Sequence, residues 1–286
     1  PGNPVLYATT RTFLEKFGLR STHDLPPLES FAPDEETRVF IAERLNVGQA
    51  DATLIQYKGK NMLIDTGEVD SRADLVKQLK ERKVKDIDII VITHPHGDHL
   101  GGMAELFKDF KIKQIYDNGQ SANTAMYRNY LKNIKAKNIA YKTLKKGDTF
   151  TLGDDVTFTV LSPGTPFTKE NTQSVSESGL TNDNSIVCKM TYGQFSMMFT
   201  GDAQKEVEEK ILKDYKPADL KADVLKVGHQ QALAVKKLGF RKPAARTALG
   251  VILPARYLAH FTVLVGEEIL HLSAGFENRL VCVDFM

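Results

Sequence analysis

From residue 38 onward, apolar and polar positions alternate in short runs separated by longer helical periods, and the order of these patterns predicts a layered fold. Residues 39–45 and 52–57 alternate with the period of two expected of half-buried strands, and Lys58-Gly59-Lys60 supplies a hairpin turn into residues 61–64. Residues 74–83 place Leu75 and Leu79 on one helical face and lead into Ile87-Asp88-Ile89-Ile90-Val91-Ile92, a β-branched run of the buried-strand type. Residues 114–116 read as a short strand, 121–134 as a helix, and 150–161 as two strands turned at Gly153-Asp154-Asp155. Residues 163–183 are polar and rich in glycine, serine and threonine, which predicts a loop. Strands follow at 186–190 and 195–199, and the apolar runs 251–253, 261–265 and 280–285 are able to supply more. Alternating strands and helices imply an α/β (α+β) fold whose sheets carry helices on their outer faces.

One stretch stands apart from this pattern. Thr93-His94-Pro95-His96-Gly97-Asp98-His99-Leu100-Gly101-Gly102 packs three of the seven histidines and one carboxylate into six residues, on the loop between a strand and a helix. Imidazoles two residues apart, as at His94 and His96, can aim at one cation, while Asp98 and His99 aim at a second position beside it. Neutral imidazole and carboxylate oxygen together suit zinc or a similar first-row metal. His260 and His271 have no such spacing and read as partly buried or surface residues.

The His-x-His-x-Asp-His motif after a hydrophobic strand resembles the signature of the metallo-β-lactamase fold superfamily. Its wording is similar to that of the hydrolase domain of the competence protein ComEC and of stand-alone relatives. Further matches in the family's order are Leu45-Asn46-Val47-Gly48-Gln49-Ala50-Asp51, Leu63-Ile64-Asp65-Thr66-Gly67, Asn182-Asp183-Asn184-Ser185, Phe199-Thr200-Gly201-Asp202-Ala203 and Leu225-Lys226-Val227-Gly228-His229. The resemblance implies a four-layer αβ/βα sandwich with two Zn2+ sites, Mn2+ being an alternative ion. It places His94, His96 and Asp202 on one metal, and Asp98, His99, Asp202 and His229 on the other. Asp98 would also position the attacking hydroxide as the catalytic residue, and Asp65 would orient ligands from beneath. Where many superfamily members supply a third histidine to the first metal, this chain has asparagine, and Asn184 is not expected to be a ligand.

The implied activity is hydrolysis of phosphodiesters, with DNA and a role in DNA uptake suggested by the competence-type wording. Alternatives are a phosphocholine-type phosphoesterase and a catalytically impaired remnant that acts as a binding or structural domain. The resemblance implies an extracellular setting, although no basic-then-apolar leader is seen in this chain.

Both ends depart from the pattern. Residues 1–31, including Pro4-Val5-Leu6-Tyr7-Ala8-Thr9-Thr10 and Asp24-Leu25-Pro26-Pro27-Leu28, resemble the C-terminal end of the segregation-and-condensation protein ScpB, where the stretch closes a winged-helix domain. After His229 the family continues with histidine, glycine and serine, and this chain reads Gln230-Gln231-Ala232. A shift of reading frame near Gln230 would account for the change: if residues 231–235 are encoded CAA-GCA-TTA-GCA-GTN, the third frame reads Ser-Ile-Ser-Ser, like the family's serine-rich text. The expected organisation is therefore a ScpB-like fragment and acidic linker at 1–36, a hydrolase domain at 37–230 and a divergent segment at 231–286, so that the C-terminal part of the sandwich is incomplete or replaced.

Composition adds bounds to this picture. At 286 residues, 42% hydrophobic and 26% charged, the chain is long enough for a sizeable core. A formal net charge of +2 does not by itself argue for nucleic acid, and the locally basic runs 77–85 and 132–146 read as solvated helix faces. Cys188 and Cys282 lie in apolar, strand-like contexts and read as buried free thiols. No run of eighteen apolar residues is present to span a membrane.

Overall fold

Two sheets face each other, and helices cover their outer surfaces. The computed structural model describes residues 40–48, 50–172 and 176–226, the Ile41 side chain excepted, together with the backbone of four later strands. The ScpB-like stretch 1–31, the linker, His229, Gln230 and His260 lie outside the described residues, as do the side chains of His271 and Cys282.

The first sheet begins as the predicted antiparallel meander of β1 (Phe40–Arg44), β2 (Thr53–Tyr57) and β3 (Lys60–Ile64). It continues in parallel through β4 (Asp86–Val91), β5 (Lys111–Asp117) and β6 (Ala140–Thr143). The crossovers are α1 (Arg72–Glu81), the pair α2 (Gly97–Leu100) and α3 (Met103–Asp109), and α4 (Ala125–Ala136). Leu75 and Leu79 of α1, Leu106 and Phe107 of α3 and Ile134 of α4 join Leu54, Leu63, Ile87, Ile90 and Ile115 in one apolar cluster on the outer face of this sheet.

The second sheet is β7 (Thr149–Leu152), β8 (Val156–Ser162), β9 (Val187–Tyr192) and β10 (Phe195–Phe199) in antiparallel order, then β11 (Val224–Lys226) parallel to β10. The loop that was expected over 163–183 contains α5 (Glu177–Asp183). The last crossover runs through α6 (Lys205–Asp214) and α7 (Pro217–Leu220). Val207 and Leu220 pack on Val187, Met198 and Leu225 from outside. Aromatic rings join the inner faces: Tyr116 of β5 lies 4.9 Å from Phe150 of β7, and Phe40 of β1 stacks 5.1 Å from Tyr192 of β9.

The C-terminal apolar runs extend both sheets at the other edge. The strand expected at 261–265 is β13 (Phe261–Val265), parallel to β1 and paired with β14 (Glu268–Leu272). In the second sheet, β12 (Ala248–Val251) joins β11 and β15 (Val281–Asp284) joins β12. The backbone thus gives eight strands in one sheet and seven in the other among the described residues. None of the described helices is long and apolar enough to cross a membrane.

Differences from the sequence reading include one helix start and two elements that the pattern did not announce. The helix expected from residue 121 starts at Ala125, because the Thr124 hydroxyl caps it by accepting from Tyr127 N at 3.1 Å. Helix α5 is short and polar, so it carries no apolar period, yet Ser176 caps it by accepting from Gly179 N at 2.9 Å. Strand β6 is exposed along its whole length and shows no alternation.

Candidate metal centre

The ends of β3, β4, β9 and β10 converge on one spot, and the local backbone explains how. Asp65 follows β3 in the left-handed region at φ 59°, a conformation that aspartate tolerates better than most residues. Its backbone N–H donates to Val91 O at 2.8 Å, so the β3 exit is tied to the end of β4. The motif loop then lies directly on the β3 exit: a Cβ on Gly102 would stand 2.2 Å from Thr66 O, and one on Gly101 2.5 Å from Val69 N. Glycine is required at both positions by this close approach.

The Asp65 carboxylate takes three donors. Thr93 N donates to Oδ1 at 2.7 Å, Thr93 Oγ1 donates to Oδ2 at 2.8 Å, and His99 Nδ1 lies 2.8 Å from Oδ2. Since the single Thr93 hydroxyl proton goes to Asp65, Thr93 Oγ1 must accept from His94 Nδ1, 3.1 Å away. Ser185 Oγ lies 3.2 Å from the same nitrogen and accepts from Asp202 N at 3.1 Å. These bonds fix the ring planes of His94 and His99 and turn Nε2 of each toward the centre.

There the predicted ligands gather. Ligand atoms of His94, His99 and Asp202, all buried, lie within 4.8 Å of one another. His99 Nε2 is 3.6 Å from Asp202 Oδ2 and 3.9 Å from Asp98 Oδ2. His96 stands beside His94, with Nδ1 3.0 Å from His94 Nε2. Two nitrogens bound at about 2.0–2.1 Å to one tetrahedral cation are roughly 3.3 Å apart, so the His94–His96 spacing fits a shared ion. Asp98, on α2, has its side chain 40% exposed.

Electrostatics set His99 apart from the other two imidazoles. Burial, then the neighbouring His99 charge, pushes His94 well below the usual imidazole range and keeps it neutral. Burial also lowers His96, against the opposing pull of Asp98. His99 is raised well above its usual range, because the Asp65 charge and hydrogen bonds to Asp202 and Asp65 outweigh its burial. Burial would raise Asp202, but the hydrogen bond and charge of His99, with the charges of His94 and Lys226, hold it far below the carboxylate range. A buried group of imidazoles and carboxylates so arranged fits a divalent first-row cation.

Asn184 is occupied elsewhere. Its Oδ1 accepts from Phe167 N at 2.9 Å, and its Nδ2 donates to Phe167 O and Leu180 O at 3.0 Å each. The amide thus pins the 163–183 segment. Thr93, Ser185, Asp51 and Lys226 were not singled out as site residues by sequence reasoning. Lys226, buried on β11, bonds through Nζ to Asp51 Oδ2, and Asp51 groups with Asp65 and His99 within 4.8 Å. Asp51 and Lys226 both stood inside motif matches, which was the only available signal, because their pairing joins residues 175 apart.

Residues 45–238 match the model of the Metallo-beta-lactamase superfamily, and the chain belongs to that superfamily. Over 205 residues it is 27% identical to ComE operon protein 3 of Bacillus subtilis (strain 168), an alignment covering 65% of this chain and 25% of that protein. The chain therefore spans a quarter of that relative's length. It is 46% identical over 55 residues to Ribonuclease Z of Clostridioides difficile (strain 630), 19% of this chain and 17% of that one. It is 57% identical over 37 residues to Segregation and condensation protein B of Desulforamulus reducens, 13% of this chain and 20% of that one.

Proposed function

We propose that this superfamily member is a hydrolase of phosphodiesters that works with two divalent cations, zinc in the first instance and manganese as a substitute. The observation that carries the reading is the convergence of His94, His99 and Asp202 within 4.8 Å, with His96 alongside. His94, His96 and Asp202 would hold one cation, and Asp98, His99, Asp202 and His229 the other. Such a pair supplies Lewis acidity toward the phosphoryl oxygens and a water acidified to near neutrality.

The chain's own residues do the rest. Asp65 and Thr93 hold the His99 and His94 rings with Nδ1 outward and Nε2 toward the centre, so that a cation taking the place of the His99 Nε2 proton would need no turning of either ring. Asp98 combines nearness to His99 with exposure, which suits a carboxylate that orients the attacking water and takes its proton. Among phosphodiesters, nucleic acid is supported by the ribonuclease match, and DNA by the competence-type motif wording. A second reading, a remnant that binds but does not turn over, is favoured by one observation: Asn184, at the third-histidine position, is committed to Phe167 and Leu180.

The division into a fragment at 1–36, a hydrolase domain at 37–230 and a divergent segment at 231–286 forms part of the proposal. The activity is tested by incubating the zinc- or manganese-loaded chain with single-stranded DNA, bis(p-nitrophenyl) phosphate and p-nitrophenyl phosphocholine. Cleavage of the first two is expected. Turnover of the phosphocholine ester alone would replace the substrate class, and metal binding without turnover of any of the three would favour the remnant.

A further inference from the structure

Helix α5 presents one face to the centre, and the ligand motif does not account for it. Ser178 and Asn182 are four residues apart and so share that face. Ser178 Oγ lies 3.5 Å from His96 Nε2, a long contact made by an exposed residue, which fixes little. Asn182 is 8% exposed, and its Oδ1 is buried without a hydrogen-bond partner among the described residues. It stands one helical turn on from Ser178, on the side of the helix that meets His96. A buried carbonyl oxygen left unpaired loses the hydrogen bonds that water would have given it. The oxygen is held there in spite of that cost, because Asn184, two residues on, anchors the end of the helix to Phe167 through its amide.

The other two histidines indicate which donor is missing. His94 and His99 each commit Nδ1 to an outer partner, Thr93 and Asp65, and turn Nε2 inward. His96 is reversed: its Nδ1 faces His94 Nε2 at 3.0 Å, and Nε2 is the nitrogen left to carry a proton outward. We propose that Asn182 is the positioning residue of His96, its Oδ1 accepting the Nε2 proton when Nδ1 gives its lone pair to a cation. The inference rests on the metal-binding reading above. It gives the three histidines equivalent outer support: a carboxylate for His99, a hydroxyl for His94 and a carboxamide for His96. Partners of this kind alter metal affinity by about 10- to 100-fold when removed.

The test uses the full chain, labelled with 15N, with Asn182→Ala and Asn182→Asp variants. Zinc affinity is read by competition with a chromophoric chelator, the His96 tautomer by long-range 1H–15N spectra of the zinc-loaded protein, and stability by melting with and without zinc. The expected results are a His96 Nε2 proton protected from exchange in the parent, and loss of that protection in Asn182→Ala. That variant should also bind one zinc about 10-fold or more weakly, without a fall in the metal-free melting temperature. Asn182→Asp, which keeps an acceptor oxygen, should retain parental affinity. Unchanged affinity and an unchanged His96 signal in Asn182→Ala would overturn the assignment while leaving the metal site intact. An equal fall in melting temperature with and without zinc would make Asn182 a packing residue. A parent that binds no zinc would remove both the site and its positioning residue.

Discussion

The Asp65 carboxylate lies 2.8 Å from His99 Nδ1, and both side chains are 2% exposed. The same carboxylate takes both Thr93 donors, and the Thr93 hydroxyl in turn accepts from His94. One buried residue therefore orients two of the proposed ligands, which the sequence separates from it by 29 and 34 positions. Asparagine at this position has the same shape but only one acceptor oxygen, and its amide group would meet a donor where an acceptor is needed. Asp65→Asn should weaken metal binding by about 10- to 100-fold. Zinc competition of the variant against the parent checks this, and a parental affinity would mean that the ligands orient themselves.

Lys226 and Asp51 form an ion pair in which the lysine side chain is 6% and the aspartate 15% exposed. Removing one partner leaves the other charged and largely desolvated. Lys226→Met should destabilise the metal-free chain by about 3–5 kcal/mol, whereas Lys226→Met with Asp51→Leu should recover much of the loss. Urea melts of the two variants give the comparison. Equal destabilisation of single and double variants would show that the charge balance is not what matters.

Burial pushes the Cys188 thiol up to about 12. It should therefore remain protonated and inert to iodoacetamide at pH 8 in the native chain and react once urea unfolds it. A Cys282→Ser background isolates its signal in mass spectrometry. Rapid native alkylation of Cys188 would mean that β9 opens far more readily than its packing implies.

The first strand of the sheets begins at Phe40. Deletion of residues 1–36 should leave the melting temperature and any phosphodiester hydrolysis within error of the parent. A drop of several degrees would show that apolar residues such as Phe13 and Phe17 pack on the hydrolase domain, and would move the domain boundary.

The sequence made most of this architecture legible where one physical signal dominated. Period-two alternation located β1 and β2, the turn at Gly153-Asp154-Asp155 located β7 and β8, and the apolar pair Leu75–Leu79 located α1. The six-residue cluster identified four of the gathered groups, because ligands close in sequence need only a loop to bring them together. Asp202 came from the family string rather than from chemistry, since one carboxylate at a turn says little alone. What stayed hidden was non-local or featureless. Asp51 with Lys226 and Ser185 with His94 meet only after both sheets have formed. Helix α5 has no apolar stripe to announce it, although it brings Asn182 to the centre.

The central claim is that His96 and Asp98 serve two cations acting on one water. The most direct measurement is the rate of bis(p-nitrophenyl) phosphate hydrolysis with added zinc or manganese for the parent, His96→Ala, Asp98→Ala, the double variant and His260→Ala. Each single substitution should abolish activity, the double variant should be no worse than either, as for groups that act as a unit, and His260→Ala should match the parent. An active parent whose His96→Ala and Asp98→Ala variants keep most of its rate would contradict the claim.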